Sequence, residues 1–242
     1  MDRKEGIKAG MNEFAYRWEN VKQRIEQACF RSGRNPGEVN VLAVTKYLDI
    51  EGTRNILDLG LQHIGENRVQ NALPKWEELG DRGTWHFIGH LQRRKVKDVV
   101  GRFAYIHSLD RFSLAEEIDR RVAAGGYPPQ RCFLQVNVSG EESKYGISPQ
   151  ELEEFACEVA NLSTIEIVGL MTMAPIANDP EEVRPVFREL KRLQGKLQRL
   201  RPRLRVPHLS MGMSQDFEIA IEEGATWVRL GSVLVGGGKR GR

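Results

Sequence analysis

Val41-Leu42-Ala43-Val44-Thr45-Lys46 is the stretch from which the fold can be read. It is short, apolar and β-branched at several positions, as a strand buried on both faces should be. It ends on a lysine. Before it, apolar residues at Phe14, Trp18, Val21, Ile25 and Ala28 recur every three or four positions and predict a helix over 12–31. Ser32-Gly33-Arg34-Asn35-Pro36-Gly37 then stops that helix. Beyond Lys46, similar runs alternate with amphipathic segments, and strands are predicted at 39–46, 61–64, 84–88, 103–107, 131–138, 164–171, 205–209 and 226–230.

The intervening helices carry start signals. Ser148-Pro149-Gln150-Glu151 reads as a capping box with proline at the first helical position. Asp179-Pro180-Glu181-Glu182 repeats the device before Val183, Phe187, Leu190, Leu193, Leu197 and Leu200. Ser214 is placed to cap a helix through Phe217, Ala220 and Ile221 that Gly224 ends. Alternation with short loops means parallel strands and right-handed crossovers. Eight such strands predict an α/β fold, a (β/α)8 TIM barrel with an extra N-terminal helix; an open doubly wound sheet is the alternative. No linker-like composition divides 1–242, so a single domain is expected, with 235–242 as a flexible tail.

Composition narrows the function classes. The 242 residues are 40% hydrophobic and 29% charged, ordinary for a globular protein. No apolar run approaches the ~18 residues of a membrane span, and the first residues hold no apolar signal core. Cys29, Cys132 and Cys157 form no metal spacing, and their odd number argues against a secreted disulfide framework, so a cytoplasmic setting is expected. Net charge is +3, with eight basic residues between Arg188 and Arg205 and a second cluster at Arg93-Arg94-Lys95-Val96-Lys97. No aromatic interleaving accompanies them, which favours a solvated face over a nucleic-acid site.

Lys46 shares strand parity with Leu42 and Val44, and in a barrel it would crown the interior at the C-terminal rim, where active sites lie. Apolar neighbours there would free its amine to condense with an aldehyde. The alternative is an ordinary solvent-exposed lysine. Ser210-Met211-Gly212-Met213-Ser214 follows the seventh predicted strand, and Gly231-Ser232 the eighth. Loops in these places bind phosphate in many barrels, through backbone N–H groups near glycines and through hydroxyls. An amine facing a phosphate cradle suits pyridoxal 5′-phosphate (PLP). Arg229 has inward parity, and a cation that cannot lose its proton would keep a facing pyridine nitrogen unprotonated, a poor electron sink. An internal ion pair of Arg229 with a carboxylate such as Glu66 is the alternative.

These residues resemble the pyridoxal phosphate homeostasis protein family, also called YggS/PROSC, whose barrel is similar to the alanine racemase N-terminal domain. The resemblance rests on Ala43-Val44-Thr45-Lys46, Gly65-Glu66-Asn67-Arg68-Val69-Gln70, Trp85-His86-Phe87-Ile88-Gly89, Gly169-Leu170-Met171-Thr172-Met173-Ala174-Pro175, Leu209-Ser210-Met211-Gly212-Met213-Ser214 and Val228-Arg229-Leu230-Gly231-Ser232. It implies that Lys46 carries PLP as a Schiff base. It further implies that Ser210, the 211–214 backbone, Gly231 and Ser232 hold the phosphate, that Arg229 lies near the pyridine nitrogen, and that Asn67 sits beside the cofactor. Arg94 departs from the family pattern, as does Val235, and His90 occupies a variable position.

His86 and His90 are four apart, but His86 reads as strand, and no metal site is expected. Tyr145 is a candidate for the mouth, and Met171 and Met173 for core or pocket wall. Two functions compete. One is a non-catalytic carrier that buffers PLP or delivers it to apo PLP-dependent enzymes. The other is a racemase-like enzyme, which needs an acid/base group on each face of the substrate carbon. The opposite tyrosine of alanine racemase comes with a second β domain absent from this sequence, so the carrier is the expectation, with no catalytic residues. A third reading, an RNA- or protein-binding barrel using the basic helix, has only the charge run behind it.

Overall fold

A parallel strand has to bury both faces, and a following amphipathic helix covers one of them; eight such units exhaust their edges only by closing on themselves. The computed structural model describes residues 3–141 and 144–236, with side chains from residue 13 onward. It has that closed form. The strands are β1 (Asn40–Val44), β2 (His63–Glu66), β3 (Thr84–Phe87), β4 (Tyr105–Leu109), β5 (Gln130–Gln135), β6 (Ile165–Met171), β7 (His208–Met213) and β8 (Trp227–Leu230). Each pairs with the next, and β8 returns to β1, giving a closed eight-stranded (β/α)8 barrel. The open-sheet alternative is thereby excluded.

The outer helices are α1 (Arg3–Ser32), α2 (Ile50–Asp58), α3 (Val69–Leu79), α4 (Val96–Val99), α5 (Phe112–Gly125), α6 (Leu152–Ala160), α7 (Arg184–Leu200), α8 (Phe217–Glu222) and α9 (Ser232–Val235). The Ser148–Glu151 exchange forms, each bonding the other's backbone and side chain, but it closes a turn just ahead of α6, so Pro149 precedes the helix instead of opening it. Asp179 accepts from the Glu181 N–H at 2.9 Å and opens a 3-10 turn leading into α7. The extra helix α1 buries Val21, Ile25, Ala28 and Cys29. It is fastened to α8 by Arg24–Glu218 and Arg31–Glu222 pairs, each at 2.6 Å.

Three strands begin later than their composition suggests, because neighbouring helix ends claim the first residues. Leu61 donates to the Ile56 carbonyl and Gly60, at φ 85°, to that of Leu57, the cap that ends α2. Phe103 donates to the Val99 carbonyl. The Val206 carbonyl accepts from the Gln194 side chain of α7 at 2.7 Å, so the residues before His208 belong to that helix's cap rather than to the sheet. Ser210 to Met213 consequently lie within β7, not in a loop after it. At the far end Val235 belongs to α9 and packs on the core, which corrects its assignment to a tail; residues 237–242 lie outside the described residues.

The basic run of α7 is matched by acids. Arg184 pairs with Glu181, Glu222 and Glu223, Arg188 with Glu223, and Arg192 with Glu189. Its other face buries Phe187, Leu190, Leu193 and Leu197 against the barrel. Inside the barrel, Phe133, Val168, Met171 and Trp227 form a separate apolar cluster with Tyr105 and Met173. Between them stand His86 and His107, both fully buried, and the half-buried His63.

Replacing Phe187, which is 0% exposed, by alanine should cost about 3–5 kcal/mol in urea-induced unfolding with an unchanged m-value. Arg192→Ala, at an exposed i,i+3 pair, should cost less than about 0.5 kcal/mol. The interior imidazoles predict a pH dependence. Burial holds His86 and His107 well below the ordinary 6.5, so below that pH the unfolded chain takes up protons that the folded chain refuses. Stability should therefore be fully present above 6.5 and fall on acidification by roughly 1.4 kcal/mol per pH unit for each imidazole. Glu117, held at about 2 mainly by its bond from Arg120, stays ionised throughout and adds nothing in that window. Urea midpoints measured between neutrality and roughly pH 5 test this; a flat profile would contradict neutral buried histidines.

Candidate functional site

Lys46 is the second residue past β1, half-buried at the C-terminal rim. Its amine lies 4.9 Å from the centre of the Tyr47 ring, and among the described residues it forms no ion pair. What precedes it is tightly held. Thr45 is fully buried; its hydroxyl donates to Glu66 Oε1 at 2.6 Å, and its carbonyl accepts from Lys75 Nζ at 2.7 Å. Lys75 also reaches Glu66 Oε1 at 2.7 Å. This buried pair bolts the end of β1 to β2 and α3. Glu66 is thus committed to Lys75, which removes it as the counter-ion of Arg229. The clamp escaped the sequence reading because Glu66 and Lys75 are nine apart across a strand–helix turn, a spacing with no periodic signature.

The closure of the barrel brings the two halves of the predicted site together. Leu42 pairs with Arg229 and Ala43 with Leu230. A side chain placed on Gly231 would meet Val44, 3.6 Å away. Lys46 and Gly231-Ser232 therefore end neighbouring strands, side by side rather than across the mouth. Next to them Ser214 has a task other than capping α8. Its Oγ accepts from the N–H of Gly231 at 3.1 Å and from that of Val233 at 3.3 Å. Asp216 occupies the N-cap position of α8 and accepts from the Met213 N–H. Gly212 stands at φ 92°, and a Cβ there would come within 2.5 Å of the Ala220 Cβ, so only glycine allows α8 this close. Two backbone donors therefore converge on the Ser214 hydroxyl oxygen, just where β8 runs into α9. Backbone N–H groups that converge on one oxygen are the kind of donors that can also receive an anion.

Arg229 points inward, as its parity requires, and is 5% exposed. Its Nη1 donates to Ser210 Oγ at 2.8 Å and its Nη2 to the Thr172 carbonyl at 2.9 Å. No carboxylate bonds it among the described residues, and burial pulls its pKa down to about 10, with Asp216 acting in the opposite sense. At neutral pH it is a buried cation held by neutral oxygens. Thr172 is fixed in turn, its hydroxyl bonded to the Val136 carbonyl at 2.8 Å. Below it, Gly169 is obligatory: a Cβ there would stand 2.2 Å from the His208 carbonyl. Ser210 is fully buried, and its hydroxyl also lies 2.9 Å from His107 Nδ1. His107 Nε2 is 3.0 Å from His86 Nδ1, and His86 Nε2 is 3.1 Å from His63 Nδ1. Sequence inspection weighed only His86 with His90, as metal ligands, and missed that His86 joins His107 and His63 end to end. Among the described residues no group of His, Cys, Asp or Glu is arranged to hold a metal.

On the β2 and β3 side of the mouth, Asn67, Arg68, Gln70, His90, Gln92 and Lys95 line a cavity of about 450 Å³. The loops after β2 and β3 touch backbone to backbone there. A Cβ on Gly89 would lie 2.1 Å from the Asn67 carbonyl. His90 stacks on Tyr145 with ring centres 3.9 Å apart, which brings the candidate tyrosine beside this cavity. Arg94 turns to Gln92, its Nε 3.1 Å from Oε1. Met171 is buried in the barrel interior and Met173 packs on the same apolar cluster, as core.

Comparison with known proteins follows the same lines. The family model for the alanine racemase N-terminal domain matches residues 17–239. The pyridoxal phosphate homeostasis protein of Aquifex aeolicus is 46% identical over 221 residues, covering 91% of this chain and 96% of that one. The protein of the same name from Escherichia coli K12 is 38% identical over 234 residues, covering 93% and 97%. Among solved structures, PipY of Synechococcus elongatus with PLP bound superposes with a TM-score of 0.80 at 34% identity, covering 92% of this chain and all of that one. Alanine racemase from Corynebacterium glutamicum, at 13% identity and a TM-score of 0.70, shares the fold. On these matches and on its barrel, the chain belongs to the pyridoxal phosphate homeostasis protein family.

Proposed function

We propose that this protein binds PLP through a Schiff base on Lys46 and buffers or delivers it to apo PLP-dependent enzymes, without catalytic turnover of its own. The observation that carries the reading is the pair of Gly231 and Val233 amides that converge on the Ser214 hydroxyl, on the strand end adjoining the one that bears Lys46. Bound PLP supplies an aldehyde that condenses with an amine and a pyridine ring that can draw electrons from the adduct. In this reading Lys46 provides the amine. Ser214, Gly231, Ser232 and the 211–213 backbone take the phosphate, with Asn67 at the side of the ring.

Ser210 serves this site through Arg229, whose guanidinium it holds from inside the barrel. Arg229 would face the pyridine nitrogen and would have no proton to give it at neutral pH, because even with burial its pKa remains at about 10. A ring nitrogen held there would stay neutral and be a weak electron sink, which suits storage better than carbanion chemistry. The family resemblance to PipY, solved with PLP bound, supports the choice of ligand.

Purified protein mixed with PLP should develop an imine absorbance that borohydride fixes onto Lys46. Lys46→Ala should abolish that band while leaving the urea midpoint nearly unchanged, since a half-buried rim residue contributes little packing. Loaded protein should reactivate apo PLP enzymes and show no racemisation of common amino acids. Steady racemase turnover would overturn the carrier reading, and an undiminished adduct in Lys46→Ala would overturn the assignment of the amine.

A further inference from the structure

We propose that His63, His86 and His107 form a one-directional hydrogen-bond relay that holds Ser210 and, through it, Arg229 in place, and that lets acid at the barrel floor loosen the ligand at its mouth. The three are positioning residues; none is expected to touch the ligand. The proposal rests on the PLP reading for its ligand, not for its geometry.

Direction follows from hydrogen-bond chemistry. A guanidinium only donates, so Ser210 Oγ accepts from Arg229. A serine oxygen could accept a second bond, but among the described residues the hydroxyl's own proton has no acceptor other than His107 Nδ1, and we infer that it is directed there. His107 then carries its hydrogen on Nε2 and donates to His86 Nδ1. His86 carries its own on Nε2 and donates to His63 Nδ1. The polarity is passed across four strands and ends at the half-buried first residue of β2, on the N-terminal face of the barrel. Each imidazole lone pair is thereby engaged, and protonating any ring breaks a link.

The surroundings keep the rings neutral. His63 meets the Trp227 ring edge-on at 4.8 Å, and His86 stacks on Tyr105 at 4.5 Å. His107 stacks on Phe133 at 4.2 Å and feels the charge of Arg229. The remaining titratable or charged groups near this cluster are His208, which packs edge-on to Trp227, Arg131, bonded to the Tyr105 hydroxyl at 3.2 Å, and Asp216, which acts on Arg229. Among the described residues no carboxylate bonds any of the three rings. Burial lowers the pKa of each below its ordinary value, less so at His63 than at the inner two, so acid enters at His63. A proton on His63 Nδ1 would oppose the His86 N–H and cut the relay at its exposed end.

Nitrogen-detected NMR of the protein without added PLP should show all three histidines as the Nε2–H tautomer at neutral pH. Mixed tautomers, or Nδ1–H, would overturn the relay whatever the ligand is. PLP affinity followed by imine absorbance should fall on the acid side in the natural protein, and His63→Asn should move that limb to lower pH, because Asn Oδ1 takes the place of Nδ1 and cannot be protonated. Superimposable profiles would overturn the coupling. His107→Phe should weaken PLP roughly tenfold, the scale of one lost bond in a chain ending on a charge. If that variant does not fold, the tautomers and the His63→Asn profile decide. Absence of any imine in the natural protein would sink the PLP reading and leave the tautomer pattern to judge the relay.

Discussion

The pairing of β1 with β8 is the constraint on which the rest depends. Asn40, Val41, Leu42 and Ala43 meet Trp227, Val228, Arg229 and Leu230 in register, and no other pairing closes the sheet. Residues far apart in the chain thereby share one rim. Without this closure Lys46 is an ordinary strand-end lysine and Ser214 an ordinary loop serine. With it, an amine adjoins two converging backbone donors, and the buried Thr45-Glu66-Lys75 clamp fixes the strand end from the other side.

The interior poses a second problem. Arg229 is buried without a carboxylate, an arrangement costly in a low-dielectric core unless neutral acceptors surround the charge. Ser210 and the Thr172 carbonyl do so, and the histidines behind Ser210 continue the polar column away from the cation. A carboxylate would have neutralised the guanidinium within the protein. Neutral oxygens leave its field directed at the mouth, where it acts on whatever approaches.

Much of this was legible in the residues. The eight strands, the Ser148 capping box, the rim position of Lys46 and the inward parity of Arg229 all follow from local periodicity and turn chemistry. Strand starts at 61, 103 and 205 were misplaced because helix caps, settled by backbone bonds such as Leu61 to Ile56, compete for the same residues. Ser214 was read as a local cap although its partners, Gly231 and Val233, come from the next strand's end. The histidine chain was invisible for a related reason. Its links cross four strands, and register shifts lie between Ile106 and Leu109 and between Ser210 and Met213, so parity alone does not foretell which side chains meet.

The brace between α1 and α8 has a consequence for how the molecule comes to be made. Arg34 donates to the carbonyls of Ile221 and Ala225, and the apolar stripe Val21, Ile25, Ala28 and Cys29 is covered from that same late region. During synthesis both α1 and the open edge of β1 emerge from the ribosome long before their partners exist. The growing chain must carry an uncovered greasy helix and an unpaired strand edge until translation has passed Leu230, a stretch in which chaperones have something to hold.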